Sequence, residues 1–243
     1  MGLRDRFQVV EIIRAIESGH TQPYQCRLDD DQIYAVKGRG ALTEGLLAEV
    51  CAATLGQAMG LPIPDFVITD IPAALVKTID DKEVYSSLGI GTGFGSHWQN
   101  ACEPLTPAIR DLQGPEFLAT LYVFDHWIAN GDRSLGDKDG NPNLLYDLTT
   151  RNLVVFDHNL AFSMGYHVSE LDIHAGRRSW QAVRARVGFV SELKSKMDAA
   201  RSALDASICE LPDEWVEQRP NFTTMAGAIL DRCGAPEFWT ELG

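Results

Sequence analysis

Residues 129–162 read ANGDRSLGDKDGNPNLLYDLTTRNLVVFDHNLAF. Two short apolar runs, NLLYD (143–147) and LVVFD (153–157), have strand composition and flank Leu-Thr-Thr-Arg-Asn. An antiparallel hairpin centred on Thr150 sets Asp147 opposite Leu153 and Asn143 opposite Asp157. Directly opposed residues share a face, with Cβ atoms ~4.5–5.5 Å apart. An amide oxygen and a carboxylate converging in this way suit Mg²⁺, which takes one or two protein oxygens and completes its shell with phosphates and water. Asp132 follows the end of an apolar helix, and a carboxylate there can position an attacking hydroxyl or accept its proton. The opposing interpretation is a plain polar turn, because Asp-Gly-Asn-Pro is good turn sequence. Spacing alone leaves turn and metal site evenly matched. A calcium loop fails: Gly140 comes one place early after Asp137-x-Asp139, Pro142 takes the glycine position, and Leu148 stands where the closing glutamate belongs.

The surrounding chain has 243 residues, 45% hydrophobic and 23% charged, enough for one large or two small domains with a substantial core. No apolar run approaches the ~20 residues of a membrane span. MGLRDRFQVVEIIRAIESGH lacks the unbroken apolar centre of a signal peptide. The five cysteines are scattered, with no CxxC, and read as reduced thiols in a cytoplasmic protein. A net charge of −13 argues against a broad nucleic-acid or anionic-membrane surface, so neither partner is expected. A small basic groove for phosphates remains compatible with it.

Periodicity predicts a helix over 5–18, with Val9, Val10, Ile12, Ile13 and Ile16 on one face. YQCRL and IYAVK form a hairpin across Asp29–Asp31. ALTEGLLAEVCAATLGQAMG is a long helix with Gly60 as its C-cap. LPIPDFVITDIP is extended, AALVKTI is a further strand, and 84–107 is glycine-rich and irregular. Helices follow at EFLATLYVFDHWIA, over 179–209, and at PEFWTEL. The class is α+β: a small N-terminal β-sheet lobe with one long helix, and a larger, mainly helical C-terminal lobe.

Several of these pieces carry a family resemblance. GHTQPYQCRLDDDQIYAVKGRG resembles the G-x-T-x-P…Y-x-V-K opening of bacterial HipA-like kinases. LLAEVCAATLGQAMGLPIPDF resembles their E-x-x-A-x-x-L-x-x-x-x-G-L-P-x-P helix and strand. NGDRSLGDKDGNPNLL and VVFDHNLAF resemble their N-x-D-R…N-x-L and h-h-D-H-x-x-A-F elements. The four pieces lie in the family's order over roughly residues 5–165, and the family is distantly similar to phosphatidylinositol 3-/4-kinases and protein kinases.

The resemblance implies a two-lobed kinase-like domain over 1–243, divided near residue 98. It implies that Lys37 contacts the ATP phosphates and pairs with Glu49, and that Gly19, His20 and Thr21 lie over those phosphates. Asp132 is then the catalytic carboxylate, Arg133 stabilises its loop, and Asn143 and Asp157 hold Mg²⁺. Asn141 competes with Asn143 as metal ligand, and Phe94 and His97 sit beside the adenine. The implied reaction is ATP- and Mg²⁺-dependent γ-phosphoryl transfer to a hydroxyl of a protein Ser or Thr, in a toxin-like regulator with an antitoxin-like protein partner. The alternatives are a nucleotide-binding pseudokinase without turnover, or a small-molecule or lipid kinase.

Other conspicuous residues read structurally. GIGTGFGS is a linker near the hinge, Asp125-His126 makes structural contacts, and His167 and His174 are surface residues. Trp180, Trp215 and Trp239 pack. Arg177, Arg178, Arg184 and Arg186 form a solvated helix face or a patch for an acidic partner.

Overall fold

The computed structural model describes residues 6–16, 21–79, 81–135 and 140–243. Its first element corrects the sequence expectation: β1 (Arg6–Ala15) is a strand. Register shifts between Val9 and Glu11 and between Ile12 and Arg14 interrupt its pairing with β2 (Tyr24–Leu28). Each bulge shifts the inward face by a residue, so Val9 and Ile12 both turn inward three positions apart and imitate a helical period. β2 continues as the expected hairpin into β3 (Ile33–Lys37).

The helix α1 (Leu42–Ala58) ends as Gly60 adopts φ +82°. The Gly60 and Leu61 N–H groups donate to the Gln57 and Gly56 carbonyls, which closes a Schellman cap. Eleven of the 17 residues of α1 are buried on all sides, as expected of a helix at the centre of a molecule rather than on its surface.

β4 (Phe66–Ile71) follows. AALVKTI is not a strand but the helix α2 (Ala73–Ile79), begun after Pro72, and α3 (Lys82–Ser87) lies within the stretch expected to be irregular. The glycine-rich linker expected there is instead β5 (Gly91–His97), paired with both β3 and β4. Gly93 is required by close approach: a Cβ would meet the Lys37 carbonyl oxygen at 2.8 Å. The order β1-β2-β3-β5-β4 closes into a five-stranded barrel, with β1 parallel to β4 and the other pairs antiparallel.

β6 (Cys102–Pro104), β7 (Leu144–Asp147) and β8 (Leu153–Val155) form a second sheet. Between them in sequence lie α4 (Pro107–Asp111) and the apolar α5 (Pro115–Trp127). The remainder is helical: α6 (Arg177–Val183), α7 (Phe189–Ser207), α8 (Asp213–Gln218), α9 (Phe222–Asp231) and α10 (Pro236–Glu241). A turn around Gly188 divides the single helix expected over 179–209. The protein is thus mixed α and β, with a small N-terminal sheet and a mostly helical remainder.

The main core joins α1 to α5, α7 and α9 through residues such as Leu47, Leu55, Phe124, Trp127, Met197 and Leu230. The barrel has its own interior around Val9, Cys26, Leu28, Tyr34, Val36 and Val67. Among the described residues no helix is long and apolar enough to cross a membrane.

Candidate functional site

The barrel wall, α1 and the second sheet enclose a cleft of about 250 Å³. β3 ends there at Lys37, α1 faces it with Glu49, and the chain leaving β8 enters it at Asp157. Lys37 Nζ donates to Glu49 Oε1 and to Asp157 Oδ1, each at 2.5 Å. Glu49 Oε2 accepts from the His158 backbone N–H at 3.1 Å. Lys37 and Glu49 are 8% and 2% exposed, so each charge depends on its partners. Burial pulls the Lys37 ammonium down, but the two carboxylates outweigh it and hold it above its ordinary range. Burial likewise pushes Asp157 up, and Lys37 reverses this, holding its carboxyl below the usual range. Glu49 is raised, chiefly by burial.

Phe94, on β5, forms part of the wall and packs against Phe66 with ring centroids 5.6 Å apart. His97 lines the same cleft, as do Ile16, Trp98 and Cys102, which lack any motif that would mark them in the sequence. Thr21 is partly exposed, its carbonyl oxygen 3.2 Å from where a Cβ on Gly40 would stand. Gly19 and His20 lie outside the described residues.

The second group of residues centres on Asp132, which is partly exposed. Asn143 Nδ2 donates to the Asp132 carbonyl at 2.7 Å and to Asp132 Oδ2 at 3.1 Å. Asn141 Nδ2 approaches Asp132 Oδ1 at 3.3 Å. Both candidate amides therefore reach the same carboxylate, and Asn143 is the buried one.

The hairpin geometry expected for this pair is corrected. Leu144 faces Val155, Leu145 faces Val154 and Tyr146 faces Leu153, one residue out of the expected register. Asp147 sets the turn: its Oδ1 accepts the Thr149 and Thr150 N–H groups, and its own N–H donates to the Asn152 carbonyl. Asn143 and Asp157 stand beyond the ladder with φ of +46° and +60°. These left-handed conformations redirect the side chains, Asn143 toward Asp132 and Asp157 toward Lys37. The Phe156 N–H still donates to the Asn143 carbonyl at 3.3 Å, so the two strand ends remain joined.

Beneath the loop lies a buried charged network. Arg133, fully buried, donates from Nε to Asp125 Oδ2 at 2.6 Å and from one terminal nitrogen to the Pro142 and Asn143 carbonyls at 3.1 and 2.6 Å. Asp125 also accepts from Asn130 Nδ2 at 2.8 Å and His174 Nε2 at 2.9 Å. Burial alone would raise the Asp125 carboxyl; Arg133 and His174 overcome it and hold it well below the usual range. Asp125 is thus structural, as the sequence suggests, and so is the buried His126, whose Nδ1 meets the Tyr166 hydroxyl at 2.9 Å and whose ring stacks on Phe238; His174 is buried rather than a surface residue. No motif spacing marks it, because its partners come from α5 and the Asp132 loop. His167 is exposed, and Trp180 and Trp215 are buried. Within the arginine cluster Arg177 pairs with Asp172 and Arg186 with Glu116.

Among the described residues no three His, Cys, Asp or Glu side chains are arranged as a metal site. A magnesium ion can nevertheless be held by one or two protein oxygens with phosphates completing the shell, and an ionised, partly exposed Asp157 is such a donor. The cleft joins an ammonium to hard oxygen ligands and lies against apolar walls, a combination that suits an anionic, partly apolar ligand. No curated protein matches the chain. The HipA-like kinase model matches residues 9–242, nearly the whole length, and the chain belongs to the HipA-like kinase family.

Proposed function

We propose that the cleft binds ATP with magnesium and that the protein transfers the γ-phosphoryl group to a hydroxyl, most specifically a Ser or Thr of another protein. The observation that carries this is the buried Lys37, bonded at 2.5 Å to both Glu49 and Asp157 at the cleft wall. In this proposal Glu49 orients Lys37 toward the nucleotide phosphates. Asp157 and the Asn143 Oδ1 would hold the magnesium ion, since Asn143 Nδ2 is committed to Asp132. The ion supplies charge neutralisation on the phosphates. Asp132, the partly exposed carboxylate of the group, orients the acceptor hydroxyl and takes its proton, and Arg133 fixes the loop by gripping the carbonyls on its far side. Phe94 and His97 flank the adenine, and Thr21 lies over the phosphates. The protein contributes positioning and preorganised charge.

The chain is read as one kinase-like domain over 1–243, with barrel and helical parts as its two lobes. A cytoplasmic, toxin-like regulatory role with an antitoxin-like partner extends this reading by family membership. The test pairs ATP titration calorimetry, with and without Mg²⁺, with phosphoryl-transfer assays. Asp157→Ala should lose Mg²⁺-dependent nucleotide binding, and Asp132→Ala should bind ATP without transferring phosphate. Full transfer by Asp132→Ala would overturn the assignment.

A further inference from the structure

We infer that His174 is a positioning residue for the Asp132 loop, acting through the chain His174–Asp125–Arg133–Asn143–Asp132; this rests on the proposal that Asp132 orients the acceptor. The imidazole has a defined tautomer. The Gly176 N–H donates to Nδ1 at 2.9 Å, so Nδ1 is an acceptor and Nε2 carries the proton given to Asp125 Oδ2, also at 2.9 Å. Asp125 Oδ2 is shared between that donor and Arg133 Nε. With Asn130 Nδ2 on Oδ1, each oxygen of this buried carboxylate is satisfied, and one terminal nitrogen of Arg133 is left to hold the Pro142 and Asn143 carbonyls. Asn143 in turn holds an oxygen of Asp132.

The backbone reinforces the link. Residues 173–175 run antiparallel to 133–135: the Leu135 N–H donates to the Ile173 carbonyl at 3.0 Å, and the Ala175 N–H to the Arg133 carbonyl at 3.1 Å. This strap is tight against α5, where a Cβ on Gly176 would meet the Leu118 carbonyl oxygen at 2.1 Å. If Oδ2 loses the His174 donor, Arg133 remains its main partner and is drawn toward Asp125, away from the Asn143 carbonyl. The consequence falls on Asn143, the proposed metal ligand, and on Asp132, whose oxygen it holds. Lys37, Glu49 and Asp157 form no part of this chain of contacts.

Two substitutions separate the two ring nitrogens. In His174→Gln the side-chain amide reaches the Nε2 position and can still donate to Asp125. In His174→Asn it ends at the Nδ1 position, keeps Gly176 and loses Asp125. The expected result is that His174→Asn lowers kcat about 100-fold, the scale of an ~1 Å misplacement. His174→Gln should retain most of the wild-type kcat. Amide hydrogen exchange at Leu135 and Ala175 should accelerate in His174→Asn and not in His174→Gln. Equal kcat and equal exchange in the two variants would overturn the inference, as would a defect confined to thermal stability. Asp132→Ala separates the two claims: if it retains transfer, the role of Asp132 falls, while the exchange result still decides whether His174 fixes the loop.

Discussion

Replacing Arg133 with methionine tests the buried network directly. The side chain is wholly buried, donates to Asp125 at 2.6 Å and grips two carbonyls of the Asp132 loop. Methionine fills most of the volume and supplies no donor. Removing one partner of a buried ion pair costs about 3–5 kcal/mol, because the other charge is left uncompensated. Asn130 and His174 still donate to Asp125 and soften that loss. The Asn143 carbonyl keeps the Phe156 N–H, so the Pro142 carbonyl carries the main loss of a donor, at about 1–3 kcal/mol if it stays dry. Together these predict a loss of about 4 kcal/mol, a fall in Tm of about 10 °C for a chain of this size. Urea unfolding with an unchanged slope measures the first quantity, and thermal unfolding the second. Arg133→Lys should recover less than half, because one ammonium cannot span Asp125 and both carbonyls. A loss below about 1 kcal/mol in Arg133→Met would mean that the guanidinium is not desolvated among these partners, since a buried charge so paired cannot be so nearly neutral.

Two further outcomes follow from packing and burial. Burial pushes the His126 imidazole down to about 4. The unfolded chain therefore binds the extra proton first, and stability falls as pH drops from about 6.5 toward about 4. Between pH 6.5 and 5 the loss is at most about 1.5 kcal/mol, because Glu241 Oε2 lies 3.2 Å from Nε2 and favours the charged ring, and His126→Phe should remove that part of the pH slope; an identical slope would contradict it. Gly176→Ala should cost about 3 kcal/mol because its Cβ would strike the Leu118 carbonyl on α5, a backbone atom that cannot swing aside. A neutral effect in thermal unfolding would mean that the strap is not seated on α5.

The parts of the fold with clean periodicity were legible: β2, β3, α1 with its Gly60 cap, and α5 all match their sequence signals. β1 was not, because its two bulges give Val9 and Ile12 a helical spacing. β5 was hidden by glycines, which have low strand propensity yet are required where Gly93 passes the Lys37 carbonyl. The candidate site was legible as residue types in family order. Lys37, Glu49 and Asp157 are far apart in sequence and meet at 2.5 Å. The route by which Asn143 and Asp157 are aimed was not legible, since it depends on two left-handed residues outside the ladder rather than on opposed positions within it. His174 was also invisible, because a buried histidine is defined by partners that only the tertiary fold brings to it.

The most direct test of the kinase proposal is incubation of the purified protein with γ-labelled ATP and Mg²⁺ in a lysate of its source organism, beside Asp132→Ala. A labelled protein band carrying phosphoserine or phosphothreonine is expected with the wild type and none with the variant. Equal labelling by both proteins would contradict it.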